Sequence, residues 1–207
     1  TAKKGVKVNA TLDTRFNDAA QASAFLEKCK DAAFAIDNIE KKEISRTPAP
    51  PFTTSALQQE AARKLGFSVS QTMRIAQKLY EDGLITYMRT DSTNLSQLAI
   101  NSIKQVVTAN FGAEYSKVRQ YKTKSKGAQE AHEAIRPTFA ANQTIDGTPQ
   151  EKKLYELIWK RAVASQMADA ILEKTEIKIG SGNFAEKFIS QGEIVVFDGF
   201  LKLYMEG

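Results

Sequence analysis

Tyr87, Arg89 and Asp91 stand two residues apart within Ile85-Thr86-Tyr87-Met88-Arg89-Thr90-Asp91-Ser92-Thr93-Asn94. Side chains of an extended chain alternate between faces, so an extended backbone here puts all three on one side. A phenol with a pKa of about 10 must be deprotonated or desolvated, and aimed, before it can attack phosphorus. The transition state of that attack carries extra negative charge on the non-bridging oxygens, which calls for a fixed cation. A guanidinium meets a phosphate through two parallel hydrogen bonds. Asp91 would orient Arg89 or bond nearby backbone. The stretch therefore suits a nucleophile aimed at a phosphodiester. The ordinary reading of the same residues is a packed tyrosine and a surface Arg–Asp pair, and spacing alone leaves both open.

The elements that must position these residues are legible as capping signals. Ser55-x-x-Gln58 and Ser68-x-x-Gln71 read as capping boxes at two helix starts, with Gly66 and Gly83 as stops. Val69, Met73, Ala76, Leu79 and Tyr80 are the expected buried face of the second helix. Two short helices on a tight Gly-containing turn form a helix-turn-helix pattern. Leu84–Tyr87 then reads as a short strand, like the start of a winged-helix wing. A third helix is expected from Ser96, with Leu95 and Ile100 as a hydrophobic staple and Ala99, Ile103, Val106 and Val107 facing inward. Ala131–Pro137 reads as a short helical turn ended by proline. Thr148-Pro149-Gln150-Glu151 opens a further helix, with Leu154, Leu157, Ile158 and Ala162 as its apolar face.

Outside this middle the pattern has period two. Val6, Val8, Ala10 and Leu12 alternate with polar residues. A helix capped by Asn17 follows, with Ala22, Phe25, Leu26 and Cys29 on one face, and Phe34, Ile36 and Ile44 suggest another strand. Thr47-Pro48-Ala49-Pro50-Pro51 marks a boundary, since prolines exclude helix and sheet interior. Strands return over Thr175–Ile179, Phe184–Ile189 and Ile194–Phe197, with Asp198-Gly199 as a turn. The expected fold is α+β, a discontinuous β-rich domain (1–48 and 169–207) with a mainly helical domain inserted at 49–168.

Charge and composition narrow the function. The 207 residues carry a net charge of +5, and the excess lies in the middle: 16 basic against 10 acidic side chains over residues 51–168. A basic middle points to a polyanion partner. Lys117, Arg119, Lys122, Lys124 and Lys126 form a run without an acid, read either as a solvated loop or as phosphate contacts. No apolar run reaches the roughly 20 residues of a membrane helix. The lone Cys29 excludes an internal disulfide, fits a reducing compartment and is expected in the core. His132 is the only histidine, so a His-rich zinc site is not expected and no metal ligands are assigned. Glycine-rich nucleotide loops and Gly-x-Ser-x-Gly are also missing. Both ends read as cut, so the chain is expected to be a piece of a longer protein.

Three motifs then carry a resemblance. Pro51–Ala61 (Pro-Phe-Thr-Thr-Ser-Ala-Leu-Gln-Gln-Glu-Ala), Ala76–Ser96 with its core Tyr-Met-Arg-Thr-Asp-Ser-Thr, and Glu130–Pro137 (Glu-Ala-His-Glu-Ala-Ile-Arg-Pro) resemble, in order, signatures of the bacterial type IA DNA topoisomerases. Leu157-Ile158-Trp159 and Phe197–Phe200 match as well. The central motif looks like the topoisomerase I version rather than topoisomerase III; reverse gyrase shares its core. The resemblance implies that Tyr87 attacks single-stranded DNA to form a 5′-phosphotyrosyl bond and release a 3′-hydroxyl, without ATP. It implies that Arg89 holds the scissile phosphate, that His132 supports the active site, and that Arg89, Asp91 and Arg136 contact DNA. It further implies that the β-rich domain belongs to an arch that opens for strand passage, and that magnesium is bound by a Toprim domain whose Asp-x-Asp is not in this chain. The expected setting is the bacterial cytoplasm, at the nucleoid. A winged-helix DNA-binding regulator without chemistry would explain residues 53–87 and the charge, and a structural scaffold would explain only the β flanks.

Overall fold

The computed structural model describes residues 7–121 and 132–205. Lys122, Lys124 and Lys126 of the basic run, Glu130 and Ala131 of the third motif, and Val6 lie outside the described residues. Cα packing divides the chain into two units, 1–45 with 171–197, and 46–170 with 198–207.

The first unit is built on a four-stranded sheet of order β1-β4-β3-β2, where β1 is Thr11–Leu12, β2 Ala35–Arg46, β3 Ala170–Ser181 and β4 Phe184–Phe197. Strands β3 and β4 form an antiparallel hairpin closed by Ser181 opposite Phe184, and β1 adds antiparallel to β4. Strand β4 runs unbroken through Gly192, which pairs with Thr175 instead of ending the strand. The alternation from Val6 yields only the two residues of β1. Helix α1, Ala19–Lys30, is capped one residue later than expected: Asp18 accepts from the Gln21 amide, and Asn17 lies outside the helix. Phe25 is buried and packs 4.9 Å edge-on to Phe184 and 5.2 Å from Phe16. Leu26, expected on the same face, is exposed, and Cys29 is half-buried. The core of this unit is a small phenylalanine cluster.

The second unit packs four helices: α2 Thr54–Leu65, α3 Val69–Glu81, α4 Gln97–Phe111 and α5 Pro149–Ala164. Local signals set most of their ends. Ser68 and Ser96 accept the amides of Gln71 and Ala99, and Thr148 and Glu151 form a reciprocal capping box with Pro149 at the first position. Gly66 closes α2 in the left-handed region at φ 68°, where a side chain would be strained. Helix α2 is capped by Thr53, not Ser55, because the Thr53 hydroxyl takes the Ala56 amide. Helix α3 buries Thr72, Ile75, Ala76 and Leu79, while Val69 and Tyr80 stay exposed. Leu95, just before α4, and Ala99, Ile100, Ile103, Val106 and Val107 within it are buried as their spacing predicts. Residues after Asp198, which the sequence groups with the strands, turn through a 3-10 helix over Gly199–Lys202 and pack with the helices. There Tyr204 donates a hydrogen bond to the buried Glu60 of α2.

Candidate active site

Helix α3 ends at Glu81 with Asp82 as its C-cap, and Gly83 at φ 71° turns the chain toward the Tyr87 segment. No strand forms over Leu84–Tyr87; one isolated bridge joins Ile85 to Pro137. The segment is nevertheless tied down. The Thr86 amide donates to the Arg136 carbonyl at 2.9 Å, the Thr138 amide to the Leu84 carbonyl at 3.0 Å, and the Thr86 hydroxyl to the Ala134 carbonyl at 2.7 Å.

The next six residues alternate. Met88, Thr90 and Ser92 are buried at 1%, 8% and 1% exposure, while Tyr87, Arg89 and Asp91 are exposed. Period two thus holds without a neighbouring strand. The inward residues supply the reason. The Thr54 hydroxyl lies 2.8 Å from the Met88 carbonyl and 2.9 Å from the Thr90 amide, and the Thr54 amide donates to the Thr90 carbonyl at 2.9 Å. The Thr90 hydroxyl accepts the Ser92 amide at 3.0 Å, and the Ser92 hydroxyl accepts the Asn94 amide at 3.1 Å. Such i to i+2 bonds let short hydroxyl side chains replace a ladder partner.

The outward face carries the chemistry-bearing groups. Tyr87 is 44% exposed, and its ring meets that of Tyr80 edge-to-face at 5.2 Å. Arg89 has no ion-pair or hydrogen-bond partner among the described residues. Asp91 is exposed and has a partner.

The third motif supports this segment from the side. Residues 132–137 form no helical turn, contrary to expectation; Ile135 and Pro137 make isolated bridges instead. Their backbone is spent on neighbours: Ala134 donates to Asn94 and Ile135 to Phe52, both at 2.8 Å, and Pro137 disfavours a helical residue before it. Glu133 accepts the Ser96 amide at 2.5 Å and pairs with Arg136, Nη2 to Oε2 2.5 Å. Burial opposes ionisation of Glu133, but the Ser96 and Arg136 hydrogen bonds outweigh it and hold its carboxyl below the usual range. Arg136 also donates to the Pro137 and Thr138 carbonyls. It therefore acts here as a brace, with its guanidinium turned onto the protein. His132 is exposed, and among the described residues neither it nor Arg136 is bonded to Tyr87 or Arg89. Lys117 and Arg119 both pair with Asp169; Lys117 stays exposed, while Arg119 is largely covered and also donates to the Met167 carbonyl.

Thr54 and Glu133 are residues to which the sequence assigned no role at the site, and Tyr80, expected on the buried face of α3, instead meets Tyr87. Thr54 bonds backbone 34 and 36 residues away and Glu133 accepts the Ser96 amide 37 residues away, so no local pattern could have assigned these contacts.

Comparison with known proteins decides the family. A family model described as DNA topoisomerase matches residues 1–207. The chain belongs to the DNA topoisomerase family. DNA topoisomerase 1 of Zymomonas mobilis is 50% identical over 192 residues, covering 91% of this chain and 16% of that protein. DNA topoisomerase 1 of Streptomyces coelicolor is 48% identical over 205 residues, covering 95% of the chain and 22% of that protein. The full-length topoisomerase I structure from Thermotoga maritima superposes with a TM-score of 0.79 at 36% identity, over 95% of the chain and 34% of that structure. This topoisomerase chain thus spans a minor share of the relatives it matches. Its resemblance to topoisomerase I, drawn from three motifs, holds along its length.

Proposed function

We propose that this chain carries the nucleophile of a type IA DNA topoisomerase, which relaxes negatively supercoiled DNA by single-strand cleavage, strand passage and religation. The observation that carries the reading is the outward face of residues 87–91: a solvent-open phenol and a guanidinium without a partner among the described residues, two residues apart, on a segment whose alternate side chains are sunk in the core.

Tyr87 Oη forms a bond to phosphorus of a single-stranded segment, and the bond from phosphorus to the 3′-oxygen breaks. The phenol gives up its proton and the departing 3′-oxygen gains one, so the products are a 5′-phosphotyrosine and a 3′-hydroxyl. One ester replaces another, so the linkage stores the energy for resealing and no nucleotide is consumed. Arg89 donates to the non-bridging oxygens as their charge grows. Asp91 contributes to DNA contact, Arg136 braces the segment through its Glu133 pair, and His132 supports the geometry of phosphoryl transfer. The helical unit serves as the winged-helix-like tyrosine domain, and the sheet unit as part of an arch that opens for the passing strand. DNA as substrate implies a cytoplasmic, nucleoid-associated setting.

Magnesium belongs to the family's Toprim domain by resemblance. Among the described residues no group of three or more His, Cys, Asp or Glu side chains converges to hold a metal ion, so the residues here do not fit one and no step is routed through it.

The test is Tyr87→Phe in the full-length protein. Covalent adducts with a single-stranded oligonucleotide should vanish while noncovalent binding largely survives. Adducts that persist would sink the reading, and a wild-type protein that forms none but prefers one duplex sequence would instead be a regulator. The isolated 207-residue chain should neither cleave nor relax DNA; relaxation of a supercoiled plasmid with magnesium would refute the division of the active site between domains.

A further inference from the structure

Arg89 is exposed and lacks a side-chain partner among the described residues, so only its backbone decides where the guanidinium starts from. Its φ and ψ are the rotations between the two peptide planes that flank it. Both planes are bonded to one atom. Thr54 Oγ1 lies 2.8 Å from the carbonyl of Met88, in the plane before Arg89, and 2.9 Å from the amide of Thr90, in the plane after it. A hydroxyl can do both at once, donating its single proton and accepting on a lone pair. The Thr54 amide adds a third bond, to the Thr90 carbonyl.

This hydroxyl is not spent on helix capping. Helix α2 is capped by Thr53, and Thr54 is its first residue. The side chain crosses instead to a segment 34 to 36 residues away. We propose that Thr54 is a positioning residue for the cleavage step: its hydroxyl fixes the backbone of Arg89, and so the direction from which the guanidinium meets the scissile phosphate. The proposal rests on the assignment of Tyr87 as nucleophile and Arg89 as its cation.

The experiment uses the full-length enzyme and single-turnover cleavage of a single-stranded oligonucleotide, with Thr54→Val, Thr54→Ala and Thr54→Ser. Valine keeps the branched shape without the hydroxyl, and serine keeps the hydroxyl. The two variants without a hydroxyl should lose roughly tenfold or more in cleavage rate at saturating DNA, as expected for a misplaced reacting group. Their DNA affinity should stay within about twofold, and serine should restore most of the rate. The proposal is overturned if the valine and alanine variants cleave like wild type, if the loss lies in DNA affinity, or if serine is as impaired as alanine. Should valine fail to fold by circular dichroism, the alanine–serine comparison decides. Tyr87→Phe is run in parallel, and an adduct there overturns the underlying assignment of the nucleophile, not the role of Thr54 alone.

Discussion

The rings of Tyr80 and Tyr87 meet edge-to-face, with centroids 5.2 Å apart and planes at 65°. Tyr80 comes from the last turn of α3, and Tyr87 from the segment beyond the Gly83 turn. Both rings are partly open to solvent, and the contact is one restraint on the ring of the proposed nucleophile. Such a pair contributes about 0.5–1.5 kcal/mol beyond area burial. Replacing Tyr80 by alanine should therefore slow adduct formation by the full-length enzyme severalfold, while phenylalanine should keep the wild-type rate. Equal rates for the alanine variant and wild type would show that the ring contact does not orient Tyr87.

Glu133 ties α4 to the third motif through Ser96 and Arg136. Its carboxyl is half-buried, and its hydrogen bonds hold it ionised against burial. A lowered folded-state pKa gives stability that is complete above the unfolded value and lost as pH falls through the folded value. Glu133→Gln should cost about 1–3 kcal/mol at neutral pH. The gap from wild type should close as pH drops below the ordinary carboxylate value of about 4.3. Urea unfolding at several pH values measures this, and a gap that stays constant with pH would contradict it.

Glu60 is 5% exposed and accepts from the Tyr204 hydroxyl at 2.8 Å, with Lys64 at 3.3 Å. Burial raises the Tyr204 phenol, and the neighbouring carboxylate raises it further. Tyr204→Phe would leave a buried carboxylate oxygen without that donor. The expected loss is about 1–3 kcal/mol, seen as a lower denaturation midpoint with an unchanged m-value. An unchanged midpoint would mean that Lys64 and Arg63 satisfy Glu60 without the phenol.

Thr148 and Glu151 satisfy each other's amides at the start of α5, the helix that buries Leu154, Ile158, Trp159 and Ala162. Thr148→Ala should destabilise by about 0.5–2 kcal/mol. Thr148→Ser should be nearly neutral, and thermal melts of the two variants distinguish a lost cap from a lost methyl contact.

Helix starts at Ser68, Ser96 and Thr148, and the stop at Gly66, were legible because capping acts over three or four residues. The starts at Asp18 and Thr53 were misplaced where two competent caps stand close together and wider packing chooses between them. The common face of Tyr87, Arg89 and Asp91 could be read from spacing. The means of holding it could not, because a hydroxyl from α2 takes the place of a partner strand. For the same reason residues 133–137 looked helical locally, yet their amides and carbonyls are claimed by Phe52, Thr86 and Asn94. Arg136, a DNA contact by resemblance, and Lys117, read either as solvated or as a phosphate contact, pair instead with carboxylates 3 and 52 residues away.

Met88, Thr90 and Ser92 work like the teeth of a comb pressed into the helical unit, with phenol, guanidinium and carboxylate along its spine. A comb moves as one piece. On the proposed function, any displacement of the helical unit would carry the backbone of Tyr87 and Arg89 with it, so the spacing of their Cα atoms would persist through successive rounds of breaking and resealing.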